Sequence, residues 1–228
     1  MAALHIDTEL FKLKNSLQEM WLLVDKQITK VQIALLQYDK SIAREILSRE
    51  KMVNALELKI DSECENFIAR NNPVAIDLRL ALAYLKINSN LERIGDFAEG
   101  IAEFVLRNMS EKLPDDFANR LRIEEMFNEV AEMFTLAKES LHDENSEKAE
   151  KIFGLDNLVD EINHASTKII SQEIQNNPQK AEEYLYLQAV IRKLERMGDR
   201  CNNIAEEIVF YLDAKVLKHN KEEKKKLE

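Results

Sequence analysis

Apolar residues in this chain recur every three or four positions rather than every second one, which is the spacing of amphipathic α-helices. The pattern predicts six long helices, over residues 7–38, 41–70, 74–109, 116–142, 146–176 and 179–213. Two Asn-Asn-Pro sequences, ending at Pro73 and Pro178, separate helices of this set. Because proline is tolerated in the first turn of a helix but not in its interior, each predicts an asparagine N-cap followed by proline at the first helical position.

The second half of the chain repeats the pattern of the first. The segment LERIGDFAEGIAE at 91–103 corresponds to LERMGDRCNNIAE at 194–206, with eight of thirteen positions identical. A repeat of about 105 residues is too long for a solenoid unit and matches three long helices joined by short turns. The sequence therefore predicts an all-α protein of two tandem antiparallel three-helix bundles, residues 1–110 and 111–214. A charged, disordered tail is predicted over residues 215–228.

Composition narrows the class of protein. The formal net charge of −10 argues against binding to nucleic acid, which requires a basic face, and favours cations or basic protein surfaces as partners. Cys64 and Cys201 are isolated in the sequence, which is typical of buried thiols in a reducing cytoplasm. No uncharged apolar stretch of about 18 residues occurs, and the N-terminus lacks the pattern of a secretory signal, so we expect neither a transmembrane helix nor export.

Acidic residues recur at the same offsets on neighbouring predicted helices. Counted from the two Asn-Asn-Pro turns, these positions lie at equal heights, so each hairpin of helices gathers a group of polar side chains. We name the groups the first cluster, Glu50, Asn54, Glu92 and Asp96, and the second cluster, Asp156, Asp160, Glu195 and Asp199. Carboxylates one helical turn apart repel each other, and a cation would reverse that repulsion. An all-oxygen set suits hard cations such as Mg²⁺, Ca²⁺, Mn²⁺ or oxidised iron.

A solvated acidic face is the alternative interpretation of any one of these pairs, because the chain holds 42 Asp and Glu residues. Arg93 and Arg196 lie inside the motifs and could neutralise part of the charge. Repetition in both halves favours the metal interpretation. Gly95 and Gly198 lie in the middle of predicted helices, where they allow close helix approach, room for a cation, or both. Of the four histidines, only His164 could join a cluster.

The motifs in these helices resemble the PhoU family of phosphate-transport system regulatory proteins across residues 7–213. The resemblance rests on the repeated LER-x-GD, on DLRL after the first Asn-Asn-Pro, and on LDNLVDEINHASTKII in the second half. It implies two three-helix bundles with metal clusters on their surface. It also implies a cytoplasmic protein, a homodimer in many members of the family, that reaches the inner face of the membrane only through partners. Those partners are the ATPase subunit of a phosphate transporter and a sensor histidine kinase.

Most of the acidic positions match the motifs of that family. Glu92, Asp96, Asp156, Asp160, Glu195 and Asp199 all correspond, and so does Glu50. Asn54 departs from the pattern, since a complete motif would place aspartate there. Iron, zinc, manganese and magnesium all remain candidates for the bound ion.

The leading functional interpretation is a regulatory adaptor without chemistry of its own, a negative regulator of the phosphate-starvation response. A metal-dependent phosphohydrolase that uses the clusters as Lewis acids is the enzymatic alternative. An accessory protein of a low-affinity phosphate permease and a structural spacer are two further alternatives. No Gly-rich phosphate loop, nucleophile elbow or Cys–His pair accompanies the clusters, so we expect no catalytic residues.

Overall fold

The computed structural model describes residues 2–217, without the side chains of residues 2–5 and 7. Within that range the chain is helical and contains no β-strand. A short 3-10 turn, Pro178–Lys180, precedes the last helix. The α-helices are α1 Ala2–Gln37, α2 Lys40–Asn71, α3 Ile76–Arg107, α4 Asp115–Arg120, α5 Ile123–His142, α6 Ser146–Glu150, α7 Ile152–Asn176 and α8 Ala181–Asp213. The predicted all-α class with two three-helix bundles is confirmed.

The first bundle consists of α1, α2 and α3, each more than thirty residues long. Asp39 caps the N-terminus of α2, because its side chain accepts hydrogen bonds from the backbone amides of Ser41 and Ile42. The prediction for Pro73 is wrong. Asn72 is the left-handed C-cap of α2 rather than an N-cap, and α3 begins only at Ile76. The residue before a proline disfavours the helical conformation, and here the connection needs three further residues to reverse direction.

The second bundle contains two interruptions that the sequence pattern did not show. The predicted helix 116–142 is broken at Arg122, which adopts a positive φ of 52° and separates α4 from α5. The Arg122 guanidinium donates hydrogen bonds to Glu125 and to Glu161, so tertiary contacts hold this conformation. The predicted helix 146–176 is broken at Lys151, between α6 and α7. At Pro178 the prediction is nearer to the structure, since that proline opens the 3-10 turn that leads into α8.

The two bundles join along α3 and α8, which run antiparallel. Lys86 on α3 donates to a carboxylate oxygen of Glu207 on α8 at 2.8 Å, and Arg79 donates to the backbone oxygen of Tyr211 at 3.2 Å. On a second contact between the bundles, Trp21 of α1 packs edge-on against Phe134 of α5, with ring centroids 4.7 Å apart. The buried apolar side chains of both bundles form one continuous core.

The last described residues bear on the predicted disordered tail, residues 215–228. Most of the predicted tail, residues 218–228, lies outside the described residues. Within its first residues Leu217 is buried, so the ordered chain extends past the predicted boundary at residue 214.

None of the helices in residues 2–217 is both long and apolar enough to cross a lipid bilayer. The division of the chain at residue 110 stays a prediction.

Candidate metal centres

The first cluster is positioned by the antiparallel pair α2 and α3. The Asn88 side-chain amide on α3 is fully buried and donates to the backbone oxygen of Glu57 at 3.0 Å and to Asp61 Oδ1 at 2.9 Å, which holds the two helices in register. In this register Glu50 of α2 faces Gly95 of α3: a Cβ atom on Gly95 would lie 3.5 Å from Glu50 Oε2. Glu50 therefore lies beside the helical turn that carries the acidic motif of α3.

The carboxylates of the first cluster repel one another. Burial, together with the negative charges of nearby carboxylates, raises the pKa of Glu50 to about 7, against the opposing hydrogen bond from Gln27. Burial and the neighbouring Asp96 likewise raise the pKa of Glu92 to about 7. Arg93 offsets part of this charge on the exposed side, with Nη1 3.0 Å from Asp96 Oδ2 and Nε 3.6 Å from Glu92 Oε2. The arrangement is acidic, partly buried and incompletely neutralised.

The structure adds residues to the first cluster that the motif did not include. Gln27 of α1 is buried, and its Nε2 donates to Glu50 Oε2 at 2.8 Å. Glu57 and Glu99 also face the cluster, and burial raises the pKa of each, as do neighbouring carboxylates. The one feature of the sequence that could have pointed to Gln27 is that it is a polar residue on the apolar stripe of α1. Asn54 is exposed on α2, and its place in the first cluster stays a prediction.

The second cluster is built in the same way by α7 and α8. A Cβ atom on Gly198 would lie 3.2 Å from Asp156 Oδ1. Burial and the charges of Asp160 and Asp199 together raise the pKa of Asp156 to about 6, whereas the amide of Asn202 opposes the shift. The structure thus brings Asp156 of α7 next to the motif of α8.

Glu195 and His164 complete the surroundings of the second cluster. Burial and the charges of Asp199 and Asp160 raise the pKa of Glu195, against the opposing effects of Arg196 and His164. His164 is exposed one turn beyond Asp160, and its Nδ1 donates to the backbone oxygen of Asp160 at 2.8 Å. His164 therefore lies close enough to act on Glu195 electrostatically.

The chemistry of both clusters fits a hard cation, although their side chains are not assembled around one. Among the side chains that the structure describes, no three of His, Cys, Asp or Glu converge on a common point suited to a metal ion. Each cluster nevertheless holds buried oxygens without a hydrogen-bond partner among the described residues: Gln27 Oε1 and Glu50 Oε1 in the first, Asp156 Oδ1 and Asn202 Oδ1 in the second. Unpaired buried acceptors are rare because each costs about 1–3 kcal/mol. A cation would satisfy them and would neutralise the surrounding carboxylates.

Gly95 permits the close approach of α1 and α2 to α3. We expect Gly95→Ala to destabilise the protein by about 1–3 kcal/mol, the range for overpacking. The new Cβ would lie 3.0 Å from Gln27 Oε1 and 3.3 Å from Val53 Cγ1, and Gln27 cannot yield without straining its bond to Glu50.

Gly154 provides the matched control for that prediction. A Cβ atom there meets nothing within 4 Å, so Gly154→Ala should raise stability by about 0.5–1 kcal/mol through the better helix propensity of alanine. Urea denaturation of both variants measures the two changes in stability, which should have opposite signs. A Gly95→Ala variant as stable as Gly154→Ala would show that the helices have room to separate.

Comparison with known proteins finds relatives that are named accessory proteins of phosphate transport. The sequence matches the family model described as PhoU domain twice, over residues 17–105 and 123–208. The phosphate-specific transport system accessory protein PhoU homolog 1 of Thermotoga maritima is 29% identical over 214 residues, covering 94% of this chain and 91% of that protein. The PhoU homolog of Borreliella burgdorferi is 32% identical over 201 residues, covering 87% of this chain and 90% of that protein.

Solved structures agree with the sequence comparisons. The crystal structure of PhoU from Pseudomonas aeruginosa superimposes with a TM-score of 0.86 at 26% identity, covering 92% of this chain and 99% of that chain. The phosphate transport system regulatory protein PhoU from Streptococcus pneumoniae gives a TM-score of 0.81 at 26% identity, covering 92% of this chain and 98% of that chain.

Proposed function

Because this chain belongs to the PhoU family, we propose that it is a cation-binding regulatory adaptor of phosphate uptake. In this role it is a negative regulator of the phosphate-starvation response, acting between the ATPase subunit of a phosphate transporter and a sensor histidine kinase. The observation that carries the proposal is that both halves of the chain match the PhoU domain, while relatives of nearly the same length are named accessory proteins of phosphate transport.

In the proposed function the chain acts through contacts with other proteins. Large apolar side chains exposed on α2 and α8, including Leu58 at 69% and Leu185 at 63%, are available for such contacts. The proposed adaptor is cytoplasmic and lies at the inner face of the membrane, where its contacts with the transporter hold it.

The two cysteines support an adaptor rather than an enzyme with a thiolate nucleophile. Burial raises the pKa of the Cys64 thiol to about 12 and raises that of Cys201 as well. Both thiols are therefore protonated at neutral pH, and reactive cysteines require the opposite shift.

In the proposed function the two clusters hold structural or regulatory cations, with iron, zinc, manganese and magnesium as candidates. The first site would use Glu50, Glu92 and Asp96, with Asn54 as a further oxygen donor. The second would use Asp156, Asp160, Glu195 and Asp199. When bound, the cation supplies positive charge at an acidic surface, and the side chains of the two hairpins orient around it.

Membrane vesicles that contain the phosphate transporter test the adaptor role. We expect the tagged full-length chain to retain the transporter's ATPase subunit and the sensor kinase on an affinity resin, and a strain lacking the gene to express starvation genes at high phosphate. Retention of a low-affinity permease instead would favour the accessory-protein alternative. If the purified chain hydrolyses phosphate esters in the presence of Mn²⁺ or Mg²⁺, the phosphohydrolase interpretation would replace the adaptor interpretation.

The second cluster should bind cations more tightly than the first. It offers four carboxylates, whereas Asn54 leaves the first with three, and affinity in oxygen sites follows the charge of the ligands. Calorimetric titration of Glu195→Gln/Asp199→Asn should therefore show loss of the tighter phase. Glu92→Gln/Asp96→Asn should retain that phase. If the variant of the first cluster loses it instead, the groups around the cluster, such as Glu57 and Glu99, decide affinity rather than the count of carboxylates.

A further inference from the structure

Two buried side chains of the first bundle, joined by a hydrogen bond, each hold an acceptor oxygen without a partner among the described residues. Gln27 is 1% exposed and Glu50 is 3% exposed. One oxygen of Glu50 accepts the hydrogen bond from Gln27 Nε2, at 2.8 Å. The other oxygen, Glu50 Oε1, and the amide oxygen of Gln27 have no hydrogen-bond partner in the part of the chain that the structure describes. When Glu50 is ionised, both atoms are acceptors only, so the pair calls for a donor or a cation.

The unpaired amide oxygen faces the acidic motif of α3. A Cβ atom on Gly95 would lie 3.0 Å from Gln27 Oε1, closer than any other atom of its surroundings. Gly95 lies between Glu92 and Asp96 in the motif. The amide oxygen from α1 therefore meets the same surface of α3 as Glu50 from α2, and the first cluster draws oxygen donors from three helices.

The second bundle places a thioether at the equivalent position. A Cβ atom on Gly198 would lie 3.2 Å from Asp156 Oδ1 and 3.5 Å from both Met133 Sδ and Val159 Cγ1. On Gly95 the corresponding neighbours are Glu50, Gln27 and Val53. The neighbours of the two glycines therefore form three pairs, which are Glu50 with Asp156, Gln27 with Met133, and Val53 with Val159. The two members of each pair are separated by the same number of residues along the chain, so they are equivalent positions of the internal repeat. Met133 of α5 thus replaces Gln27 of α1.

We propose that Gln27 is a cation ligand of the first site and that the Gln27/Met133 difference gives the two bundles different metal preferences. The Gln27 amide holds Glu50 through its NH₂ group and presents its oxygen to the ion. Amide and carboxylate oxygens favour hard cations such as Mg²⁺ and Mn²⁺, whereas a thioether in the wall of a site favours softer ions such as Zn²⁺. This inference rests on the cation binding in the proposed function.

Exchange of the two residues tests the inference, with each site measured alone. In the full chain carrying Glu195→Gln/Asp199→Asn, which isolates the first site, Gln27→Met should weaken Mn²⁺ binding about tenfold or more relative to Zn²⁺. In the chain carrying Glu92→Gln/Asp96→Asn, which isolates the second site, Met133→Gln should shift preference toward Mn²⁺. Both affinities are measured by calorimetric titration of the metal-free protein with Mn²⁺ and Zn²⁺ separately.

Gln27→Glu distinguishes a ligand from a residue that only supports Glu50. Glutamate keeps a side-chain oxygen at this position but loses the NH₂ donor, so a ligand role predicts Mn²⁺ affinity equal to or greater than that of the starting protein. A purely supporting role predicts the same loss as in Gln27→Met, and that result would overturn the assignment. Unchanged Mn²⁺ affinity in Gln27→Met would overturn it too. If the protein with both sites intact binds neither ion, the cation binding of the proposed function fails together with this inference.

Discussion

Replacing Phe127 by alanine should lower the free energy of unfolding by about 3–5 kcal/mol and should weaken both three-helix bundles together. Phe127 lies on α5 of the second bundle and is fully buried. Its removal leaves a cavity, and close-packed interiors relax only partially around such a void. The loss is shared because the core runs without interruption from one bundle into the other along α3 and α8.

Urea denaturation followed by two signals measures this coupling. Trp21, the one tryptophan of the sequence, reports on the contact between the bundles, where it packs against Phe134 of α5, while far-ultraviolet circular dichroism reports on all helices. In Phe127→Ala we expect both transitions to move to lower urea by the same amount. Leu58→Ala, at a side chain that is 69% exposed, is the control and should change stability by less than about 0.5 kcal/mol. A helical signal that is lost in two separate steps would show that the bundles unfold independently.

Bound cations should stabilise the protein by about 2.7 kcal/mol per site at a free concentration one hundred times the dissociation constant. The physical reason lies in the metal-free clusters. Burial and mutual repulsion disfavour the charged carboxylates, as the raised pKa values of Glu50, Glu92 and Asp156 indicate. Buried acceptor oxygens in both clusters also lack partners within the described chain. An ion that binds only the folded state relieves both penalties.

Thermal melts after treatment with a chelator, repeated with Mn²⁺, Mg²⁺, Zn²⁺ and Fe³⁺, measure this stabilisation. Asp199→Asn should reduce the response without unfolding the protein, because it removes charge and keeps the shape of the side chain. Asp116→Asn is the matched control, since that side chain is 86% exposed and belongs to neither cluster. A midpoint that responds to neither the chelator nor any of the four ions would count against both sites.

The sequence predicted the elements and the repeat because both depend on local pattern. Apolar spacing identifies helices, and the duplicated motif identifies two equivalent hairpins. The ends of the helices were less predictable. Arg122 breaks a run that has ordinary helical spacing, and the ion pairs that hold its left-handed conformation come partly from Glu161, on another helix. Local sequence carries no record of such a partner.

The candidate metal sites also contain some residues that the sequence could identify and one that it could not. Its acidic residues could be named from the sequence because α2 with α3, and α7 with α8, are consecutive helices whose pairing follows from short turns. Gln27 could not be assigned to the first cluster in this way, because the sequence does not show which residue of α1 packs against Gly95.

The sequence by itself determined the all-helical class, the duplication and the acidic positions, because period and repetition are properties of the chain as written. Only the tertiary structure decided that the bundles share one core, that α3 lies against α8, and that an amide in one half occupies the position of a thioether in the other. These features depend on contacts between residues far apart in the chain. Their free energies arise from burial and close packing, which exist only once the helices have met.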